Sequence, residues 1–97
     1  MSYENIPVHL NTTEHRFEMN IDGAYAIINY KQARDKIYLI HTEVPESMEG
    51  QGIAAALVEK TLHYIEEQHL RLVPLCSYVQ HYLRKHQEWN RLVTEED

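Results

Sequence analysis

The chain has 97 residues, with nine Lys and Arg against fifteen Asp and Glu, and a formal net charge of −6 at pH 7. That balance argues against general nucleic-acid binding, which needs a basic footprint, and a single cysteine, Cys76, excludes an internal disulfide. Length points to one domain over residues 1–97 that exposes about 5,800 Å² when folded; with a lone thiol, no signal peptide and no long apolar span, the expected setting is a reducing cytoplasm without membrane insertion.

Residues 1–13 are polar and mixed, and read as a lead-in with room for a short edge strand. Arg16 to Ile21 alternates strictly, with Phe17, Met19 and Ile21 on one face, as a half-buried strand does. Asp22-Gly23 follows, a favoured two-residue hairpin turn because both positions take φ > 0. A return strand, Ala24 to Lys31, leads to a second turn at Gln32-Ala33-Arg34-Asp35. Lys36 to Val44 is the third strand of an antiparallel meander, and Pro45 ends it by removing a ladder donor.

Glu49-Gly50-Gln51-Gly52-Ile53-Ala54-Ala55-Ala56-Leu57-Val58 comes next and organises the rest. Two glycines leave the backbone bare, and a helix begins directly after them. Such a helix presents unpaired N–H groups and the positive end of its dipole, which suits a phosphate. The spacing alone serves equally as a tight turn. The third position of a G-x-G-x-x-G fingerprint is Ala55, and no Gly-Lys-Ser/Thr follows, so neither a Rossmann loop nor a P-loop is present.

The helix is expected from about Gly52 to His69, with Ala54, Leu57, Val58, Thr61, Leu62 and Ile65 on its apolar stripe. Arg71 to Cys76 reads as a fourth strand, which Pro74 confines to an edge, a bulge or a splay. Ser77 is the expected cap of a second helix, Tyr78 to about His86. Residues 87–93 form a tail anchored by Trp89, and residues 94–97 are expected to fray. A right-handed crossover from the third strand through the long helix makes the fourth strand its parallel neighbour. The glycine loop and Cys76 then converge at one edge of a mixed α+β sheet.

From about Phe17 to Trp89 the chain resembles the GNAT superfamily of N-acetyltransferases, more narrowly small single-domain GNAT-like proteins of the YjdJ type. Val44-Pro45, Gly50 to Val58, Val73 to Val79 and Tyr82 carry the resemblance. It implies a compact fold: an antiparallel meander, a helix crossover to a splayed parallel strand, and a C-terminal helix. It also implies acetyl-CoA as cofactor, with the pyrophosphate at the family's Gln/Arg-x-x-Gly-x-Gly/Ala loop. Gly52 and Ala54 match that pattern, while Glu49 stands where Gln or Arg is usual, leaving the cradle to backbone. Cofactor binding is thus carried over to Val44, Gly50, Gln51, Gly52, Ile53, Ala54, Ala55 and Tyr78. The chain lacks the two helices after the first strand and the last strand pair of full-length members, so the small-molecule or peptide amine acceptor stays unidentified.

Acetylation needs a neutral amine, and a lysine-like amine is neutral in only about one molecule in 2,500 at pH 7. His41 and Glu43 are two apart on one strand and share a face; histidine suits the base, and Glu43 could orient it or bind a cationic acceptor. An exposed strand face carries such residues equally well without a role. Cys76 could take the acetyl group before passing it on, or could simply be packing. Tyr82 stands next to the position where these enzymes place a general-acid tyrosine. His63 with His69, and His81 with His86, have the wrong spacing for a helical metal pair, so no metal is expected. The sequence therefore supports an N-acetyltransferase acting directly or through Cys76, and, as alternatives, an acyl-CoA-binding or sensing module without turnover or an interaction domain that keeps only the fold.

Overall fold

The computed structural model describes Tyr3 and residues 5–95. Its centre is a five-stranded sheet in the order β1-β2-β3-β4-β5: β1 His9–Asn11, β2 Arg16–Ile21, β3 Ala24–Ala33, β4 Lys36–Glu43 and β5 Arg71–Pro74. The first four strands are antiparallel neighbours, and β5 joins β4 in parallel. A 3-10 turn, Glu46–Met48, leads into α1, Ile53–Glu67; α2, Ser77–Lys85, follows β5, and a 3-10 helix, Gln87–Leu92, closes the chain. The architecture is the mixed α+β sheet with a parallel crossover that the sequence predicts.

The β2–β3 hairpin forms because its chemistry is consistent at each level. Asp22 (φ 54°) and Gly23 (φ 90°) both occupy the left-handed region, and the Gly23 N–H donates to Asn20 Oδ1 at 2.8 Å. Phe17 then faces Ile28 and Met19 faces Ala26, all four fully buried. α1 covers this face with Ile53, Leu57, Val58, Thr61, Leu62 and Ile65. Ile53 takes the buried place expected of Ala54, which is half-buried. Thr61 satisfies its buried hydroxyl by donating to the Leu57 carbonyl at 2.8 Å.

Several boundaries differ from the sequence reading. β3 runs two residues past Lys31, and the second turn shortens to Arg34-Asp35, with Arg34 at φ 60°. α1 begins at Ile53 and ends at Glu67, and His69, at φ 57°, turns the chain into β5. β5 stops at Pro74, which lacks a donor. Cys76, not Ser77, is the N-cap residue of α2: its backbone is extended (φ −75°, ψ 128°), and its carbonyl accepts the first helical bond from Gln80 N at 3.0 Å. At the tail, the Thr94 N–H donates to the Leu72 carbonyl at 2.8 Å, beside a parallel bridge between Leu72 and Val93, so Thr94 is tied down. Glu96 and Asp97, the rest of the expected frayed tail, lie outside the described residues, as do Met1, Ser2 and Glu4 of the lead-in.

One feature of β4 was invisible in the sequence. Asn29 pairs with His41 and Tyr30 with Leu39, so Ile40 is an extra residue, a β-bulge. On strict alternation His41 would follow Ile37 and Leu39 toward the helices. The bulge turns Thr42 there instead, opposite the buried Ile28, and sends His41 and Glu43 to the other face, opposite Asn29 and Ile27.

Candidate active site

The parallel ladder between β4 and β5 ends at Leu39 and Pro74. The Leu39 carbonyl then accepts from both Leu75 N (3.0 Å) and Cys76 N (2.8 Å), and beyond it β4 runs on to Glu43 paired only with β3. The two strands thus splay at their carboxyl ends. A cleft of about 430 Å³ opens in the splay. Its apolar walls are Val44, Met48, Ile53 and Ala54, its polar side chains are Thr42, Glu49 and Tyr78, and Gly50 and Gly52 form its rim.

The glycines supply the rim by conformation. Gly50 (φ 82°) and Gly52 (φ 80°) are both left-handed, which a side chain resists by roughly 1–2 kcal/mol. Gly52 is the N-cap of α1 and no side chain caps that end. The first helical bond runs from Ala56 N to Gly52 O (3.1 Å), so the N–H groups of Ile53, Ala54 and Ala55 have no acceptor within the helix. Among the described residues, Glu49 is the one charged side chain on the cleft wall.

Cys76 is buried behind the cleft, its Sγ 3.2 Å from Thr42 Oγ1, within hydrogen-bond reach. Thr42 lines the cleft, so the sulfur stands one side chain back from it. Tyr78 is in the cleft wall, and burial pushes its phenol up. Tyr82 is elsewhere: its hydroxyl donates to Glu59 Oε2 at 3.3 Å, its ring stacks on His86, and it lines a second cavity between α1 and α2 together with Ala55. Burial, then the Glu59 carboxylate, raise the Tyr82 phenol to about 12. The Gln51 side chain also points away from the cleft, accepting from Tyr3 Oη at 3.1 Å. His41 and Glu43 line a third, open depression with Tyr25, Pro45 and Glu46; it shares Thr42, Val44 and Glu49 with the cleft.

The structure therefore brings Val44, Gly50, Gly52, Ile53, Ala54 and Tyr78 into one cleft with Cys76 behind it, and holds His41 and Glu43 in the adjoining depression. Thr42 and Met48 belong to the cleft and went unread. The bulge that turns Thr42 inward leaves no mark in residue type or period. Among the described residues no group of three His, Cys, Asp or Glu could hold a metal ion, and no helix is long and apolar enough to cross a membrane.

Residues 16–92 match the sequence profile of the GCN5-related N-acetyltransferase family. The chain belongs to that family. Among similar proteins, protein NATD1 of Gallus gallus is 30% identical over 83 residues, covering 82% of this chain and 76% of the relative. The protein of that name in Homo sapiens is also 30% identical over 83 residues, covering 82% and 74%. The NMR structure of a GCN5-like protein from Staphylococcus aureus superposes with a TM-score of 0.71 at 24% identity, covering 97% of this chain and 93% of that one. At that identity the superposition shows a shared GCN5-related fold.

Proposed function

We propose that the chain binds acetyl-CoA in the β4–β5 cleft and transfers its acetyl group to an amine. The observation that carries this reading is the convergence on one cleft of a strand splay and a glycine-started helix with uncapped N–H groups. The donor set fits the cofactor: backbone N–H groups of Ile53, Ala54 and Ala55 for phosphate oxygens, and apolar Val44, Met48 and Ile53 for a pantetheine arm. Glu49 opposes the phosphates, so affinity rests on backbone.

Bound acetyl-CoA supplies a thioester carbonyl and a thiolate leaving group. Tyr78, in the cleft wall, keeps its proton at neutral pH and is our candidate to give it to that thiolate; Tyr82, expected for this role, lines the neighbouring cavity. Two routes reach the amine. In the direct route the amine nitrogen bonds to the acetyl carbon as the C–S bond to CoA breaks, and the proton it sheds passes to His41 or Glu43. In the relayed route Cys76 Sγ bonds to the acetyl carbon as the C–S bond to CoA breaks, and the proton shed by the Cys76 thiol ends on the departing CoA sulfur. The amine then displaces Cys76, losing its proton to the same pair.

A binding module without turnover is the second reading, favoured by the position of His41 and Glu43 outside the cleft. Mass spectrometry after incubation with isotopically labelled acetyl-CoA, with and without a mixture of amines, separates the three. Label on Cys76 that disappears when amines are added supports the relay. Acetylated amine without protein label supports direct transfer. Acetyl-CoA binding with neither product leaves the binding module.

A further inference from the structure

We propose that Tyr3 is a positioning residue for the cofactor loop: by grasping the Gln51 side chain it holds Gly50 to Gly52 in the shape that receives phosphates. This rests on the acetyl-CoA reading of the cleft. The Tyr3 hydroxyl donates to Gln51 Oε1 at 3.1 Å, across 48 residues of chain. Gln51 is the one residue between two left-handed glycines. Glycine gives up more conformational freedom on ordering than any other residue, so this stretch is the costliest part of the rim to hold still. Among the described residues no backbone hydrogen bond involves Gly50 or Gln51; the flanking ones run from Glu49 N to Glu46 O and from Ala56 N to Gly52 O. The bond to Tyr3 therefore fastens the loop between those two points.

The other end of the bond is firmly anchored. Tyr3 is 6% exposed and belongs to the main apolar core. Its carbonyl accepts from Ile6 N at 3.2 Å, which turns the chain toward β1. Ile6, Val8 and Leu10 then alternate inward against the core, and Leu10 pairs with Phe17. Tyr3 also walls the second cavity together with Ala55 and Ala56, in the first turn of α1. A buried tyrosine needs a partner for its hydroxyl, and the partner here is the only side chain between the two glycines. Because the bond draws the Gln51 amide away from the cleft, the phosphates are left to the bare N–H groups that follow. A loop fixed before the ligand arrives spares the binding step the cost of fixing it. The lead-in to the sheet thus contributes to cofactor affinity without lining the cleft.

The test uses coenzyme A as probe, on the full chain and three variants. Tyr3→Phe deletes the hydroxyl and keeps the ring, Gln51→Ala deletes the acceptor on an exposed residue, and the third variant combines the two. Calorimetry should show coenzyme A bound about two- to tenfold more weakly by each single variant, the range for one hydrogen bond. The double variant should be no weaker than either single one, since both changes remove the same bond. In the free protein, amide NMR order parameters at Gly50, Gln51 and Gly52 should fall from about 0.85 toward about 0.6 in both single variants, while those in β2 and β3 hold. A Tyr3 that serves only the core would lower the urea midpoint in Tyr3→Phe and move neither quantity. Wild-type affinity in Tyr3→Phe, with coenzyme A shifts still at residues 50–55, would overturn this proposal and leave the cleft reading standing. Losses that multiply in the double variant would give Tyr3 and Gln51 separate causes and overturn it as well. Coenzyme A shifts absent from residues 50–55 of the wild-type chain would overturn both readings.

Discussion

Both helices of this protein begin without a side-chain cap, yet the two beginnings are built for different ends. α1 starts at Gly52, left-handed and solvent-exposed, so its first N–H groups open onto the cleft. α2 starts at Cys76, extended and buried, with its sulfur against Thr42 and its amide held by the Leu39 carbonyl. A left-handed cap turns the helix end outward toward whatever arrives. An extended cap continues a strand and closes the end inside the protein. The lesson is that a helix start becomes a receptor through the conformation of the residue before it, and that here only α1 has that conformation.

The largest expected effect comes from closing the open start. Gly52→Glu places a side chain at φ 80° and a carboxylate where phosphates would dock. Coenzyme A affinity measured by calorimetry should fall about 100-fold or more, near 2.8 kcal/mol. Unchanged affinity would put the anion elsewhere and remove the contrast between the two helices.

Closing the other start further should matter less for binding. Cys76→Ala deletes a buried sulfur and its contact with Thr42, with an expected loss of about 1 kcal/mol in urea unfolding. Coenzyme A affinity should stay within about twofold, while any acetyl label on the protein disappears. A large loss of affinity in this variant would show that the two helix starts act as one site.

Tyr82 links the two helices through Glu59, and its phenol is raised from 10.0 to about 12. A raised folded-state pKa means stability that is complete below pH 10.0 and is lost as pH climbs toward about 12. Tyr82→Phe should lower stability at neutral pH by about 1 kcal/mol and make the alkaline unfolding limb shallower. An unaltered alkaline limb would place the titration in another group.

The smallest effect is expected far from both helix starts. Burial raises the Glu18 carboxyl, but hydrogen bonds from Arg16 and Asn11 outweigh it and leave it below its ordinary 4.5. Its contribution is therefore present above pH 4.5 and fades as pH falls below that. Glu18→Gln should remove part of the acid dependence of thermal unfolding and lower the midpoint by a few degrees, as about 0.5–1 kcal/mol would. Loss of cofactor binding in this variant would show coupling across the sheet.

How legible the molecule was in its sequence depended on whether a feature leaves a periodic or turn signal. The β2–β3 hairpin did, because Phe17, Met19 and Ile21 alternate and Asp-Gly permits only a narrow set of turns. The start of α1 did as well, through Gly50, Gly52 and the apolar stripe that follows. The bulge at Ile40 did not, since an apolar residue in a β-rich run looks like any other strand position. With it went the placement of Thr42 in the cleft, and the separation of His41 and Glu43 from it. The cap of α2 was read one residue late because serine is a frequent cap and cysteine is not; no side chain caps this end, and the Cys76 N–H donates to the Leu39 carbonyl on β4. Tyr78 and Tyr82 could not be told apart by spacing, because which of two adjacent clefts each phenol meets is decided by how α2 packs on α1.

The small tether at the end of the chain has a consequence for how this protein meets other copies of itself. A sheet edge is a row of unpaired backbone groups on which a foreign strand can grow. β5 is such an edge. It is four residues long, ends in Pro74, and has Val93 bridged to Leu72 with Thr94 bonded beside it. Arg71 reinforces the arrangement by donating to the Arg91 and Val93 carbonyls at 3.2 and 3.1 Å. The last described residues thus act as a guard rail: they occupy the template with the chain's own backbone and blunt edge-to-edge aggregation, while the same sheet stays open at the splay.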